Sequence, residues 1–410
     1  MRLEAGRVAL AVNAGSGSVS ATAFRPRDGG DEIGSHEDLE PVWTMEVVRH
    51  ASPQRVTVEG GGERVELEID SPGAGAAVAP GLDALWEGPA AAVDGPDAVV
   101  AVGHRIVHGG ASLDAPAEID DRVRRAIEDA SRFAPLHNPP GLELVDLARE
   151  RLPGARHVAC FDTAFHRTIP PAASAYGGPA SWIDRGLVRY GFHGISHADA
   201  ARRAARLLGR PLDDTSLVTV HLGGGCSATA VRGGRSVATT MGLTPADGMV
   251  MATRGGAVDP GLLLCLMRED GLDADALETL LERESGLMGL TRGRSGDVGR
   301  VRGLALRGDA DARLAIDVYA HRARHEIAAL RPTLDDLDAL AFTGSAVTGE
   351  PWLRAAICDG LGHLGVRLDA ARNEAAGDGD EIGADGASVR AYLLRADEDR
   401  VIAGAALAVD

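Results

Sequence analysis

An apolar run at residues 7–13 (RVALAVN), a small-residue turn at 14–18 (AGSGS) and a second apolar run at 19–24 open the chain. Unbroken apolar runs of this length predict strands covered on both faces, and the small residues between them predict a tight return. Alternation of apolar and polar residues predicts strands at 42–48 and 64–69. Short apolar runs predict further strands at 98–103 and 156–161, and helical periodicity predicts helices at 121–130 and 141–151. The second half repeats the layout: a strand at 216–221, a glycine turn at 223–225 and a returning strand at 227–231. Helices follow at 261–269, 275–283, 310–330 and 352–361, with a strand at 338–342, a last strand at 389–394 and a last helix at 397–408. A strand, glycine turn and strand thus occur twice, each followed by mixed structure, which predicts two α/β domains of related topology. A chain of 410 residues also exceeds what one core holds. The expected domains are 1–161 joined by 395–410, and 162–394. The acidic stretches 25–40 and 373–388 read as solvated loops.

Composition narrows the chemistry. Aromatic residues are only 3% of the chain, so the core must rest on Ala, Val, Leu and Ile. A net charge of −18 excludes a nucleic-acid partner, which needs a basic face. All 42 basic residues are arginine. Mechanisms built on a phosphate-binding lysine, in a GxxxxGK[ST] loop or on a protein-kinase strand, are therefore excluded. Anion chemistry must use arginine, histidine, backbone amides or a metal. The four cysteines form no CxxC pair, and no apolar stretch approaches the ~20 residues of a membrane span, so a cytoplasmic protein with reduced thiols and no membrane partner is expected.

Several segments carry candidate chemistry. AVNAGSGS places Asn13 at a strand end before a turn rich in backbone amides, suited to phosphate or a metal-bound phosphate. GHRIVHGG (103–110) sets Arg105 between histidines, and FAPLHNPPG (133–141) holds His137 in a proline-bounded loop. Arginine and histidine at strand ends suit an anionic substrate, since guanidinium offers a rigid fork. FDTAFHRTIP puts Asp162 directly after a buried strand. RYGFHGISH spaces His193 and His197 four residues apart, a spacing zinc could use, but the glutamate of an HExxH site is missing. HLGGGCS (221–227) is the second glycine turn, and Arg254 in MATRGG lies among small residues that let backbone approach a phosphoryl group.

In their order and spacing, AVNAGSGS, VGHRIVHGG, APLHNPP, CFDTAFHRTIP, RYGFHGISH, VTVHLGGGCS and GLTPADGMVMATRGG resemble the acetate kinase family along essentially the whole chain. The resemblance implies two duplicated RNase-H-like domains of the actin-like ATPase class, with the active site in the cleft between them. It implies acyl and Mg²⁺ functions for the first domain, and nucleotide and dimer functions for the second. Asn13 and Glu398 match the positions that organise Mg²⁺, for which Mn²⁺ can substitute. Asp162 matches the acidic residue of proton or metal handling, and Arg105, with His137 nearby, matches the substrate-binding side. His193 and Arg254 match the transition-state stabilisers. Val107, Leu136, Phe192 and Pro245 match the apolar pocket for the acyl methyl. His221, Leu222, Gly223, Gly224, Gly225, Asp297, Gly344, Ser345, Ala346 and Ser20 fall at nucleotide-side positions. The family implies ATP or ADP and a small carboxylate as substrates, and a cytoplasmic homodimer.

The nucleotide side departs from the family pattern. Ser20 stands where the family has lysine, Gly224 replaces the asparagine of HLGNG, and Ala252 replaces a glycine. The adenosine loop FTGGIGEN reads FTGSAVTG at 342–349, and RSGDVGR at 294–300 replaces SSDxR. Ser345 and Val347 add side chains where a base would lie, and Thr348 and Gly349 displace a Glu–Asn pair. Three readings follow: an ATP-dependent enzyme, one using pyrophosphate or another nucleotide, or a carboxylate sensor without catalysis.

Overall fold

The computed structural model describes residues 3–15, 18–27, 33–48, 54–69 and 74–409. Ser16 and Gly17 of the first glycine turn lie outside the described residues. The chain separates into two compact units, Met1–Ala164 with Asp397–Asp410, and Phe165–Ala396.

The first unit holds an eight-stranded sheet: β1 (Val8–Ala14), β2 (Ser18–Pro26), β3 (Leu39–Val48), β4 (Gln54–Gly60), β5 (Glu63–Ile69), β6 (Val99–Ile106), β7 (Ala117–Glu118) and β8 (Arg156–Phe161), in the order β5-β4-β3-β2-β1-β6-β8-β7. β2 to β5 form an antiparallel meander, whereas β1, β6 and β8 are parallel. Val8 to Val12 are all buried, as the unbroken apolar run required. The helix Glu398–Ala408 packs on β1, β6 and β8. Its approach is close: a Cβ at Gly103 would stand 2.5 Å from Ile402 Cγ2.

The second unit holds β9 (Ser216–Leu222), β10 (Cys226–Arg232), β11 (Arg235–Thr239), β12 (Ala339–Thr343) and β13 (Arg390–Leu393), in the order β11-β10-β9-β12-β13. β9, β12 and β13 are parallel, and β10 and β11 return antiparallel. Stripped of β4, β5 and β7, the first sheet has the same order and the same directions, so the repeat of layout is a repeat of topology. The helices Gly194–Leu207 and Ala310–Leu330 pack on this second sheet.

Most expected elements form within a few residues. The differences are physical. β4 and β11 and the helix Gly194–Leu207 carry too many polar or small residues to stand out by periodicity. The stretch 373–388 is not simply solvated: Asn373 is buried, its Oδ1 accepts from Arg354 Nε at 2.7 Å, and its amide donates to the Pro351 carbonyl at 2.8 Å. A fully buried arginine needs such acceptors, and the loop supplies them.

Candidate active site

In the first unit three parallel strands bring their carboxyl ends to one edge. Asn13 lies near the end of β1, Arg105 near the end of β6, and Asp162 just beyond β8. Arg105 grips Asp162 with Nη2–Oδ2 at 2.6 Å and Nε at 3.1 and 3.2 Å from the two oxygens. Its Nη1 donates to Asn13 Oδ1 at 3.1 Å and lies 3.9 Å from Glu398 Oε2. The Asp162 side chain is 1% exposed and that of Arg105 13%. Burial alone would lower the guanidinium pKa, but Asp162, Glu398 and Asp399 outweigh it and raise it. Arg105 is a permanent cation held in a fixed plane.

Glu398 and Asp399 open the last helix, where carboxylates complement the helix N-terminus. The Asn13 amide donates to Glu398 at 3.4 Å and to Asp399 at 3.0 Å. Asp399 also accepts from Thr22 at 2.8 Å and from Ser20 at 3.4 Å. Burial pushes the Asp399 carboxyl up, against the hydrogen bonds from Thr22 and Asn13. Sequence reasoning missed Asp399, since acidic residues at a helix start need no further role. Ser20 and Thr22, polar and two apart on an apolar strand, were the available signal. Ser20, expected on the nucleotide side, contacts this carboxylate.

His137 is half-buried at the start of the helix Asn138–Arg151. The buried Asn138 beside it bonds both backbone groups of His108, at 3.1 and 2.9 Å, which ties the HNPP loop to the VHGG loop. Val107 is 8% exposed and Leu136 36% exposed.

In the second unit His193 takes a left-handed backbone (φ 57°, ψ 25°) immediately before the helix Gly194–Leu207. A non-glycine residue in this region is held there by its surroundings, a common mark of functional sites. One anchor is His166, whose Nε2 donates to the carbonyl of Phe192 at 2.9 Å; Phe192 itself is 1% exposed. Burial lowers the His166 pKa to about 4, so the anchor is neutral. The His193 ring stacks on His221 with centroids 4.4 Å apart, and His221 Nδ1 pairs with Ser196 at 2.9 Å. Arg254 is 7% exposed, donates to the carbonyl of the buried Pro245 at 2.7 Å, and lies 3.7 Å from Glu282. Burial raises the Glu282 pKa and Arg254 opposes that rise.

Gly225 brings the expected groups together. A Cβ there would stand 2.9 Å from His193 Nε2 and 3.1 Å from Arg254 Nη2. Only glycine lets the turn lie against both nitrogens. His197, by contrast, spends both ring nitrogens on hydroxyls, Ser227 at 2.7 Å and Thr219 at 2.8 Å. The i, i+4 histidine spacing serves a hydrogen-bond chain here.

A cleft of about 410 Å³ in the same unit is lined by Gly223, Gly224, Asp297, Ser345, Ala346 and Glu350, among others. Leu222 and Gly344 do not line it. Leu222 is buried, and a Cβ on Gly344 (φ +94°) would meet the Leu222 carbonyl at 2.4 Å. Their role is to hold β9 against β12. Val347 is also buried, and its carbonyl accepts from Arg354, so it adds no side chain to the cleft. The loop does not lose its carboxylate either. Glu350 lines the cleft, accepts from the Trp352 indole and lies 3.7 Å from Arg302.

Two units of one strand order, each with functional groups at the carboxyl ends of its parallel strands, form the duplicated actin-like fold, and function on it is read from the site. The family model described as the acetokinase family matches residues 8–404, and this chain belongs to that family. An acetate kinase of Synechococcus sp. is 41% identical over 400 residues, covering 97% of each chain. Among solved structures, Porphyromonas gingivalis acetate kinase superposes with a TM-score of 0.87 at 30% identity, covering 98% of this chain and 99% of its own. A propionate kinase from Francisella tularensis superposes with a TM-score of 0.89 at 29% identity, covering 98% and 100%.

Proposed function

We propose that this chain is a carboxylate kinase that transfers the terminal phosphoryl group of ATP to acetate or propionate, reversibly and in line. The observation that carries the reading is the convergence of His193 Nε2 and Arg254 Nη2 on the Gly225 turn. A carboxylate is already a nucleophile, so the catalyst chiefly aligns two anions and cancels their repulsion. Arg105, whose Nε and Nη2 are taken by Asp162, would attract the carboxylate with its positive charge, His137 would stand beside it, and Val107, Leu136, Phe192 and Pro245 would bound the acyl chain. Arg254 and His193 would donate to the phosphoryl oxygens as charge spreads over them.

Asn13, Glu398, Asp399 and Asp162 are hard oxygen donors, and Mg²⁺ is commonly held by one or two carboxylates together with substrate phosphates. They fit Mg²⁺, or Mn²⁺ by the same chemistry, with Glu398 and Asn13 as its holders. Such an ion supplies charge neutralisation on the phosphates.

The cleft favours a nucleotide over pyrophosphate as donor. Its lining carries the carboxylates of Asp297 and Glu350 and no arginine. Acceptors of this kind suit the hydroxyls and amino groups of a nucleoside and repel a bare polyanion. Glycines at 223 and 224 leave backbone amides for the phosphate tail.

Among the described residues no helix is long and apolar enough to cross a membrane. We assign a cytoplasmic setting, where ATP is available. The helix Pro260–Glu269 buries none of its residues, and Leu262, Leu264 and Met267 are 48%, 48% and 42% exposed. We assign that face to a homodimer contact, to be checked by the mass in solution of Leu264→Arg.

Turnover with ATP, GTP and pyrophosphate in turn, with acyl phosphate trapped as the hydroxamate, tests the activity. ATP-dependent hydroxamate is the expected result. Product with pyrophosphate alone would overturn the donor assignment, and no product with any donor would leave a sensor.

A further inference from the structure

The lining of the cleft in the second unit has two chemically different stretches. In one, Gly223 and Gly224 adjoin Ser345, and a Cβ on Gly223 would stand 3.5 Å from Ser345 Oγ. In the other, Gly299 adjoins Glu350, and a Cβ on Gly299 would stand 2.6 Å from Glu350 Oε1. Backbone amides at the glycine turn suit phosphate, which leaves the Gly299 stretch for the nucleoside. Few polar groups serve that stretch. Thr348 Oγ1 donates to the Gly344 carbonyl at 2.9 Å, and Asp297 caps the helix Val298–Leu306, its Oδ1 accepting from the Arg300 N–H at 2.8 Å.

Glu350 is held by one oxygen. Its Oε2 accepts from the Trp352 indole N–H and lies 3.7 Å from Arg302 Nη1, and the Arg302 guanidinium covers the Trp352 ring at 4.9 Å. Oε1 makes no hydrogen bond among the described residues. The wall beside it is glycine, so no side chain screens it there. A carboxylate oxygen only accepts. What Oε1 takes from a nucleoside is therefore an N–H or O–H donor.

We propose that Glu350 is a specificity-determining residue for the phosphoryl donor. Its Oε1 accepts a hydrogen bond from a donor group of the nucleoside, the exocyclic amino group of adenine or a ribose hydroxyl, and Trp352 and Arg302 are its positioning residues. This deepens the nucleotide reading above and rests on it. Bound nucleotide strips water from Oε1, so a ligand without the matching donor leaves a charged oxygen unpaired and binds about 10–100-fold more weakly. The same charge repels a bare polyphosphate. Gly299 belongs to the arrangement, since a side chain there would meet Oε1.

The test is calorimetric titration of the whole protein, in Mg²⁺ buffer, with ATP, inorganic tripolyphosphate and three analogues. These are purine riboside triphosphate, which lacks the amino group, and the 2′-deoxy and 3′-deoxy forms of ATP. Glu350→Ala should weaken ATP binding about 10–100-fold and leave tripolyphosphate unchanged or tighter. Glu350→Gln keeps the shape: with Trp352 holding the amide oxygen, an NH₂ group stands where Oε1 stood, and ATP should weaken as much. One analogue should bind the wild type as weakly as ATP binds Glu350→Ala and lose nothing further in that variant, which identifies the donor group. Trp352→Phe should weaken ATP, spare tripolyphosphate and leave that same analogue unchanged. Unchanged ATP binding in both Glu350 variants, equal weakening of ATP and tripolyphosphate, or no analogue coupled to Glu350 would each overturn the proposal. Binding is read without turnover, so a wild-type protein that takes tripolyphosphate and not ATP would overturn the nucleotide reading itself and the proposal with it.

Discussion

The two units share a strand order, yet the edges formed by their parallel strands have opposite chemistry. In the first, carboxylates dominate: Asp162, Glu398 and Asp399 surround one arginine, and every short contact is ionic or ion-assisted. In the second, donors dominate: His193 and Arg254 face a bare glycine turn over a foundation of neutral histidines and hydroxyls. Topology sets where the groups stand, and side chains set what they do. A carboxyl substrate and a metal suit the first edge, and phosphates suit the second.

The comparison breaks most visibly at the ion pair. Arg105→Leu leaves the Asp162 carboxylate buried without its guanidinium, which should cost about 3–5 kcal/mol in urea unfolding. Arg105→Leu with Asp162→Leu should recover most of that. Wild-type stability in the single variant would show that the pair is not structural.

Acid should reach the second edge by another route. The His166 pKa is depressed to about 4 in the folded chain. A depressed group contributes stability above its unfolded value of about 6.5, lost as pH falls through that value towards about 4, in total about 3 kcal/mol. His166→Gln should flatten the fall in unfolding midpoint across this window. An unchanged slope would remove His166 from the account.

Catalysis should separate the edges by parameter. Arg254→Ala and His193→Ala should each lower kcat by ~10²-fold or more with a smaller change in acetate KM, because they act on the transition state. Wild-type turnover in either would remove its assigned role. The smallest effect is expected from the length of the acyl chain, where each methylene in an apolar site is worth ~1–3 kcal/mol. Acetate and propionate should both react and longer acids fade; kcat/KM rising through hexanoate would contradict the pocket.

Much of this was legible in the sequence, and for definite reasons. Buried strands such as Val8–Ala14 read as unbroken apolar runs, and Asp162 and Arg105 stood out because each stands at the end of such a run. Asp399, Glu350 and Ser227 were not legible. Each acts through residues distant in sequence, Asp399 through Thr22 and Asn13 and Ser227 through His193, and only folding brings those together. The burial of Val347 was hidden similarly, since facing the core or the cleft depends on Arg354 and Asn373.

Guanidinium is the only strong side-chain cation at either edge, and the chain has no lysine anywhere. Acyl phosphates are acylating agents whose usual protein target is the lysine amine, and an arginine stays protonated and does not compete as a nucleophile. A carboxylate kinase built this way releases its product beside charged groups that the product cannot modify. Its surface charge and its active site should both survive concentrations of acyl phosphate that would progressively neutralise a lysine-bearing protein.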